Sequence, residues 1–263
     1  MTAKQRIDHI TSWIKEYATT HNISTLVVGI SGGIDSSVVS ALCATTGINT
    51  IVVQMPIRQN VTLDNRSLLQ AIWLAERFDN VRHLNIDLNK IFNSFEADIL
   101  PFCLATESND DSLTLGFANS RARLRMMTLY QIAQSYSGIV VGTGNKVEDF
   151  GVGFFTKYGD GGVDISPIGD CMKTDVWDMG GEFGIPHEII HAFPTDGLWD
   201  DGRTDESQLG MSYAELEVAM QHDTFEDSMS DATPQEIRNL EKYRLIRNRN
   251  LHKMNPIPVC KMQ

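Results

Sequence analysis

Apolar residues recur along the chain in two alternating kinds of block. Ile7, Ile10, Ile14 and Tyr17 fall on one side of a helix predicted over residues 3–19. The next block is an uninterrupted run, Leu26-Val27-Val28-Gly29-Ile30, which reads as a short buried strand. A glycine-bearing loop follows, and then a helical stretch from Ser36 to Thr46 carrying Val38, Val39 and Leu42. The alternation repeats. Thr50 to Gln54 is strand-like, residues 62–78 are helical with Leu68, Leu69, Ile72, Trp73 and Ala75, and Val81 to Ile86 is strand-like. Residues 88–100 and 112–136 are helical, and Gly138-Ile139-Val140-Val141-Gly142 is a fourth buried strand. Val- and Ile-rich strands alternating with helices predict an α/β fold, a doubly wound and mainly parallel sheet covered on both faces.

From residue 143 the pattern changes. Gly144 to Gly169 is rich in glycine and aspartate, the composition of a long functional loop, and residues 194–210 read as a second one. A helix from Pro234 to about Asn250 precedes a polar tail. No repeat, low-complexity tract or linker interrupts the chain, so a single domain over residues 1–263 is expected.

Composition narrows the class. The 263 residues are 42% hydrophobic and 21% charged, enough apolar mass for a sizeable core. A formal net charge of −12 repels nucleic-acid phosphates and anionic lipid, so neither nucleic acid nor membrane is an expected partner. No apolar run approaches the roughly 20 residues of a membrane span. The start, MTAKQRIDHITSWIKEY, is amphipathic and unlike a signal peptide, so a cytoplasmic location is expected and the sequons at Asn22, Asn60 and Asn65 should stay bare. Cys43, Cys103, Cys171 and Cys260 form no CxxC pair, which removes the common redox and zinc spacings.

The strongest chemical signal is Ser31-Gly32-Gly33-Ile34-Asp35-Ser36-Ser37, set between the first strand and the next helix. Ligands of open α/β sheets bind outside the carboxyl ends of strands. Glycines let the backbone approach a ligand closely, and the free N–H groups of a helix start favour an anion. Asp35 among those donors makes sense if a Mg²⁺ bridges it to phosphate. Read alone, Ser-Gly-Gly is a tight turn before a helix cap. Neither GxxxxGK[ST] nor GxGxxG is present, so the phosphate cradle is of another type. The string resembles the SGGxDS loop of the ATP-pyrophosphatase superfamily, whose members cleave ATP between the α and β phosphates and transfer AMP to a substrate oxygen.

Three further segments add to this. In Asn119-Ser120-Arg121-Ala122-Arg123-Leu124-Arg125-Met126, a turn of about 100° per residue puts Arg121 and Arg125 on one helix side and Arg123 about 200° from Arg121. A solvated basic face is the plain alternative to an anion site. Gly142-Thr143-Gly144-Asn145-Lys146-Val147-Glu148-Asp149 ends the fourth strand, where Glu148 is a second candidate Mg²⁺ ligand or a helix-start carboxylate. Gly153-Phe154-Phe155-Thr156-Lys157-Tyr158-Gly159-Asp160-Gly161-Gly162-Val163-Asp164, followed by Lys173, mixes lysines, aspartates and aromatics in a way that suits an anionic dinucleotide.

FFTKYGDGGVDISP, NSRARLRM, PTDGLWDDGRTDESQLG and Leu251-His252-Lys253 resemble the NAD synthetase family over residues 5 to 258, nearly the whole chain. The resemblance implies a Rossmann-like fold of the adenine nucleotide alpha hydrolase type and a carbon–nitrogen ligase. It implies ATP as co-substrate, Mg²⁺ as cofactor, and deamido-NAD and ammonia as the other substrates. ATP would adenylate the nicotinate carboxylate, and ammonia would displace AMP. Carried to matching positions, Gly29, Ile30, Ser31, Gly32, Gly33, Ile34, Asp35, Ser36, Thr143, Lys173 and Thr195 would bind ATP. Asp35 and Glu148 would hold Mg²⁺, Asp35 and Lys173 would be catalytic, and Arg123, Lys157, Asp164, His252 and Lys253 would bind deamido-NAD. A homodimer is implied as well. Gly144-Asn145-Lys146 departs from the Asp-His pair of some members, and the segment before Phe154 is one residue longer. The chain leaves no room for an amidase domain, so free ammonia is the expected nitrogen source. Other superfamily chemistry, such as tRNA thiolation, and a non-catalytic adenine-nucleotide-binding module are the alternatives.

His187-Glu188-Ile189-Ile190-His191 also fits the HExxH zinc-protease pattern. Pro186 and Pro194 limit that helix to about two turns, and no third ligand follows, so incidental histidines on a short helix are expected.

Overall fold

A computed structural model describes residues 1–59, 61–104, 110–194, 204–224 and 232–262. Four strands, β1 (Thr25–Ile30), β2 (Asn49–Gln54), β3 (Val81–Asn85) and β4 (Gly138–Val140), form one parallel sheet in the order β3-β2-β1-β4. The helices between them are α1 (Ala3–Thr20), α2 (Ile34–Thr45), α3 (Val61–Ala75), α4 (Asn89–Leu104) and α5 (Asp110–Ser135). This is the parallel α/β sheet that the hydrophobic alternation predicts.

Alternation along the central strand separates two cores. Leu26, Val28 and Ile30 point to the side covered by α1, α2 and the later helix α6 (Lys173–Phe183), where they meet Ile14, Leu42 and Met179. Val27 points to the other side, with Ile51, Val53, Phe92 and Val140 beneath α4 and α5. Both faces of β1 are therefore apolar, as a covered parallel strand requires. The chain steps from β1 to β2 to β3 in one direction and returns to place β4 on the other flank of β1. That reversal opens a crevice beyond the carboxyl ends of β1 and β4, the usual ligand position in such sheets.

Several elements differ from expectation. In α3 the buried residues are Ser67, Gln70, Ala71, Trp73 and Leu74, while Leu68 and Ile72 are exposed, so the helix turns a partly polar face inward. β4 is three residues long, and its continuation bridges Val141 to Ile165 of the returning loop. That loop is not wholly irregular: Lys146–Val152 form a π-helix. α6 and α9 (Tyr213–Thr224) have no counterpart in the sequence pattern. Between them lie the single-turn α7 (His187–Ile190) and the short α8 (Asp205–Leu209), which falls within residues 194–210, a stretch that reads as a loop in the sequence. The last helix, α10 (Pro234–Met254), starts with a Thr233–Glu236 capping box and runs past Asn250, so His252 and Lys253 sit in its final turn. A third apolar cluster, with Val147, Leu216, Leu240 and Tyr243, locks the π-helix, α9 and α10 together. Among the described residues no helix is long and apolar enough to cross a membrane.

Leu42 is fully buried where α2 packs on the sheet and α6. Truncation to alanine at such a site costs about 2–5 kcal/mol. Leu42→Ala is expected to lower the thermal midpoint by about 5–15 °C in a calorimetric scan, and an unchanged midpoint would contradict this packing.

Candidate active site

The loop from Ser31 to Gly33 leaves β1 and turns at Gly32, whose φ is +74°. A Cβ there would stand 2.6 Å from the Ser67 backbone nitrogen, so the position requires glycine for conformation and for space. Gln70, buried on α3, ties the turn down. Its Oε1 accepts from the Gly32 amide at 3.2 Å and from the Ser36 hydroxyl at 3.2 Å, and its Nε2 donates to Ser40 Oγ at 3.0 Å. Within the loop, the Gly33 amide donates to Ser31 Oγ at 3.2 Å and the Ser31 amide to Ser36 Oγ at 3.3 Å. Gly33 caps α2 without a side-chain hydrogen bond, so the first-turn amides of Ile34, Asp35 and Ser36 are available to an external acceptor.

A cavity of about 290 Å³ opens onto this turn. Of the predicted residues, Gly29, Ile30, Ser31, Gly33, Ile34, Asp35, Ser36, Thr143, Glu148 and Lys173 line it, while Gly32 supports the turn from behind. Thr195 lies outside the described residues.

The electrostatic centre of the cavity is a buried ion cluster. Lys173, the first residue of α6, sends its ammonium to Asp35 Oδ2 at 2.6 Å and to Glu148 Oε1 at 2.9 Å. Its side chain is 2% exposed. Asp35 comes from the first turn of α2, and Glu148 from the π-helix after β4. Asn145 joins them: its Oδ1 accepts from the Val147 and Glu148 amides at 3.1 Å each, and its Nδ2 donates to Asp35 Oδ1 at 3.0 Å. Tyr213 of α9 donates to Glu148 Oε1 at 2.5 Å, and its hydroxyl lies 3.3 Å from Asp205 Oδ2. Its ring also carries the Lys173 ammonium 4.8 Å from the centroid.

Charges in this cluster shift one another. Burial pushes the Asp35 carboxyl up; Lys173 pulls it back, and repulsion from Glu148 leaves it above its ordinary value. Burial acts on Glu148 in the same sense, but Lys173 and the hydrogen bonds from Tyr213, Lys173 and Asn145 outweigh it and hold it down. For Lys173, burial is overcome by the two carboxylates, so the ammonium is retained well above its usual range. Burial and the Glu148 carboxylate push the Tyr213 phenol up, so it remains a donor. Asp149 and Asp160 also line the cavity; burial raises both, with repulsion from Asp160 adding to it at Asp149 and hydrogen bonds from Thr156 holding Asp160 back.

Two carboxylate oxygens from separate elements thus converge on one point beside open helix amides. Hard oxygen donors of this kind fit Mg²⁺, which commonly takes one or two protein carboxylates and completes its shell with phosphate and water. Such an arrangement can hold a polyphosphate and its metal.

The predicted dinucleotide residues gather elsewhere. Arg123 Nε donates to the Lys157 carbonyl at 3.3 Å, Lys157 Nζ to the His252 carbonyl at 2.7 Å, and Lys253 Nζ to the Phe155 carbonyl at 2.7 Å. This cationic group, drawn from α5, the glycine-rich loop and α10, adjoins the cavity through Asp149 and Asp160, which act electrostatically on Lys253. Asp164 stands apart: its carboxylate accepts from the Val140 amide at 2.7 Å and the Tyr130 hydroxyl at 3.2 Å, fixing the loop to β4. Arg121 and Arg125 do share the inner side of α5. Arg121 is 8% exposed, and Arg125 Nε donates to the Met55 carbonyl at 3.1 Å, whereas Arg123 is exposed. His187 and His191 stack with ring centres 3.8 Å apart, but among the described residues no three metal-ligating side chains come together.

Gln70, Asn145, Tyr213 and Asp205 were not singled out by sequence reasoning. A lone amide among Leu68, Leu69, Ala71 and Ile72 is the signal that could have marked Gln70.

The chain matches the family model described as NAD synthase over residues 6–256. It is 39% identical over 211 residues to an NH(3)-dependent NAD(+) synthetase of Finegoldia magna, covering 80% of this chain and 81% of that one. Its fold is similar to the structure of NMN synthetase from Francisella tularensis, with a TM-score of 0.83, 28% identity and full coverage of both chains. It is also similar to an NH3-dependent NAD synthetase from Campylobacter jejuni in complex with the nitrate ion, with a TM-score of 0.78, 20% identity, and 99% and 100% coverage.

Removing the ammonium leaves Asp35 and Glu148 buried without a counter-charge, a loss of about 3–5 kcal/mol. Glu148 is held below, and Lys173 above, ordinary values of 4.5 and 10.5. The depressed carboxyl contributes stability above its unfolded value and loses it as pH falls. The raised ammonium contributes below its unfolded value and loses it as pH rises. Lys173→Met is therefore expected to show its largest stability deficit between those two pH values, narrowing in acid; a deficit independent of pH in denaturant titrations would contradict the pairing.

Proposed function

The chain belongs to the NAD synthase family, and on that premise we propose that it uses ATP to amidate the nicotinate carboxylate of deamido-NAD with ammonia, yielding NAD⁺, AMP and pyrophosphate. It is a carbon–nitrogen ligase. The observation that carries this reading is the convergence of Asp35 and Glu148, through Lys173, at the open end of α2 in the cavity.

A carboxylate is a poor acyl donor because ammonia cannot expel oxide. The reading runs in two displacements. A nicotinate oxygen attacks the α-phosphorus of ATP, the bond to the β-phosphate bridge breaks, and pyrophosphate leaves. Ammonia then attacks the acyl carbon, AMP departs with the bonding pair, and the surplus proton passes to solvent. The first step brings two anions together. The amides of Ile34, Asp35 and Ser36 meet the phosphates, and the Lys173 ammonium screens charge growing on the leaving group. Asp35 and Glu148 are the residues that would hold Mg²⁺, which when bound neutralises phosphate charge and polarises the P–O bonds. Asn145 and Tyr213 orient those carboxylates. Ser31, Gly33 and Thr143 complete the ATP wall. Arg123, Lys157 and Lys253 supply positive charge for the dinucleotide acid and His252 sits beside them, while Asp164 acts on it by holding the loop. Most of the rate enhancement in this scheme is positioning and electrostatics, and no protein nucleophile is required.

The full-length likeness to an NMN synthetase supports a second reading of the substrate, in which the acid is a mononucleotide. Both acids present the same nicotinate carboxylate and differ in the adenylate portion.

A homodimer is part of the proposal. On α4, Phe92 is the one buried residue, whereas Ile91, Phe95, Ile99 and Phe102 are 54%, 43%, 39% and 75% exposed at helical spacing. A contiguous apolar stripe of this kind supports association with a second copy. The acidic chain and the absence of a spanning helix among the described residues support a cytoplasmic location.

Incubation with α-labelled ATP, Mg²⁺, ammonium and either acid is expected to yield labelled AMP in step with amide product. Labelled ADP would contradict the mechanism, and the ratio of kcat/KM for the two acids decides between the substrates. Asp35→Asn is expected to lower kcat by at least about a hundredfold, and full turnover would remove Asp35 from the mechanism. Phe95→Asp is expected to shift a dimer to monomer in light scattering.

A further inference from the structure

Three cations line the described cavity wall: Lys173, Arg125 and Arg66. Lys173 is committed to Asp35 and Glu148, and Arg125 has its Nε on the Met55 carbonyl. Arg66 differs. Its Nε is shielded from solvent and has no hydrogen-bond partner among the described residues. Burial lowers its guanidinium, with no carboxylate among the described residues offsetting the loss. Asp64, two residues earlier on α3, responds to Gln54 and Arg125 and not to Arg66. A buried guanidinium donor left without an acceptor is costly, and in a ligand cavity it points to an acceptor supplied by the ligand.

Its position identifies that ligand. A Cβ on Gly32 would stand 2.7 Å from the Arg66 Cβ, so α3 holds Arg66 directly against the phosphate-binding turn. Ser31, Gly33 and Asp35 share the cavity with it, while Arg123, Lys157, His252 and Lys253 are not part of that lining. The planar fork of arginine matches two phosphate oxygens at once.

We propose that Arg66 is a phosphate-contacting residue, whose guanidinium binds the β,γ-diphosphate portion of ATP and the pyrophosphate formed from it. The assignment rests on the reading of the Ser31–Ser36 turn as the ATP cradle. It adds a cation from α3 to a site otherwise built from β1, α2, the π-helix and α6.

Calorimetric titration of the full-length protein with Mg²⁺-pyrophosphate, Mg²⁺-α,β-methylene-ATP and AMP, alongside steady-state kinetics, tests it. Arg66→Ala and Arg66→Gln are expected to weaken pyrophosphate and the ATP analogue by about ten- to a hundredfold. KM for ATP should rise in step, with KM for the acid and affinity for AMP within about twofold of wild type. Arg66→Lys should recover part of the loss, which a purely structural role for the side chain would not produce. The glutamine and lysine variants keep the comparison open should the alanine protein fail to fold. Unchanged pyrophosphate affinity in Arg66→Ala, or equal losses for AMP and pyrophosphate, would overturn the assignment. Were wild type to bind neither pyrophosphate nor the analogue, the ATP-cradle reading would fall and take this assignment with it. Were wild type and Arg66→Gln to bind both equally, the assignment alone would fall.

Discussion

One ammonium between two carboxylates holds the site in shape. Asp35, Glu148 and Lys173 lie far apart in sequence and on different elements, yet the fold brings a carboxylate oxygen of each acid to within 2.9 Å of Lys173 Nζ. Two carboxylates buried side by side would repel, and the site would open or take up protons. Lys173 offsets that repulsion, Asn145 donates to the second Asp35 oxygen, and Tyr213 adds a further hydrogen bond to Glu148 Oε1. The result is a pair of acceptors fixed in position before any metal arrives, which is the requirement for catalysis that depends on placement. Lys173 itself sits where Asp35 and Glu148 would hold a Mg²⁺, and with that ion bound its ammonium would be free to face phosphate.

The cluster also connects the two loop regions to the sheet. Tyr213 reaches from Glu148 to Asp205, so the segment that opens α8 is tied to the carboxylate after β4. On the opposite flank, Gln70 and Gly32 tie α3 to the phosphate turn. The Ser31–Ser36 turn and the segment after β4 are thereby anchored from both sides by single polar residues. Such networks specify one arrangement because an unmatched member is expensive in a low dielectric.

The strand–helix alternation was legible because each strand of the covered sheet is a continuous Val/Ile run, and the Ser31–Ser36 string was legible because its glycines and hydroxyls have few other uses between a strand and a helix. The remainder had physical reasons to be hidden. α6 contains Gly180 and Gly181, and α9 packs few residues on the core, so neither shows a strong apolar stripe. In α3 the apolar Leu68 and Ile72 are exposed, while Gln70 is buried because the loop needs its amide. Tyr213, Asn145 and Arg66 act as single residues at long range, and no spacing rule reaches across such distances. The segment around Glu148 takes up a π-helix, whose wider turn delivers Glu148 to the Lys173 ammonium beside Asp35; the Phe154 amide closes it on the Glu148 carbonyl at 2.8 Å.

The central claim is that the turn after β1 and the Asp35–Glu148 pair together hold a metal-bound triphosphate. A crystal structure with Mn²⁺ and α,β-methylene-ATP, with anomalous data collected at the manganese edge, tests it most directly. The account predicts an anomalous peak bonded to Asp35 and Glu148, with phosphate oxygens on the amides of Ile34 to Ser36 and the Lys173 ammonium moved onto phosphate. A nucleotide bound away from that turn, or manganese absent from both carboxylates with Lys173 still between them, would contradict it.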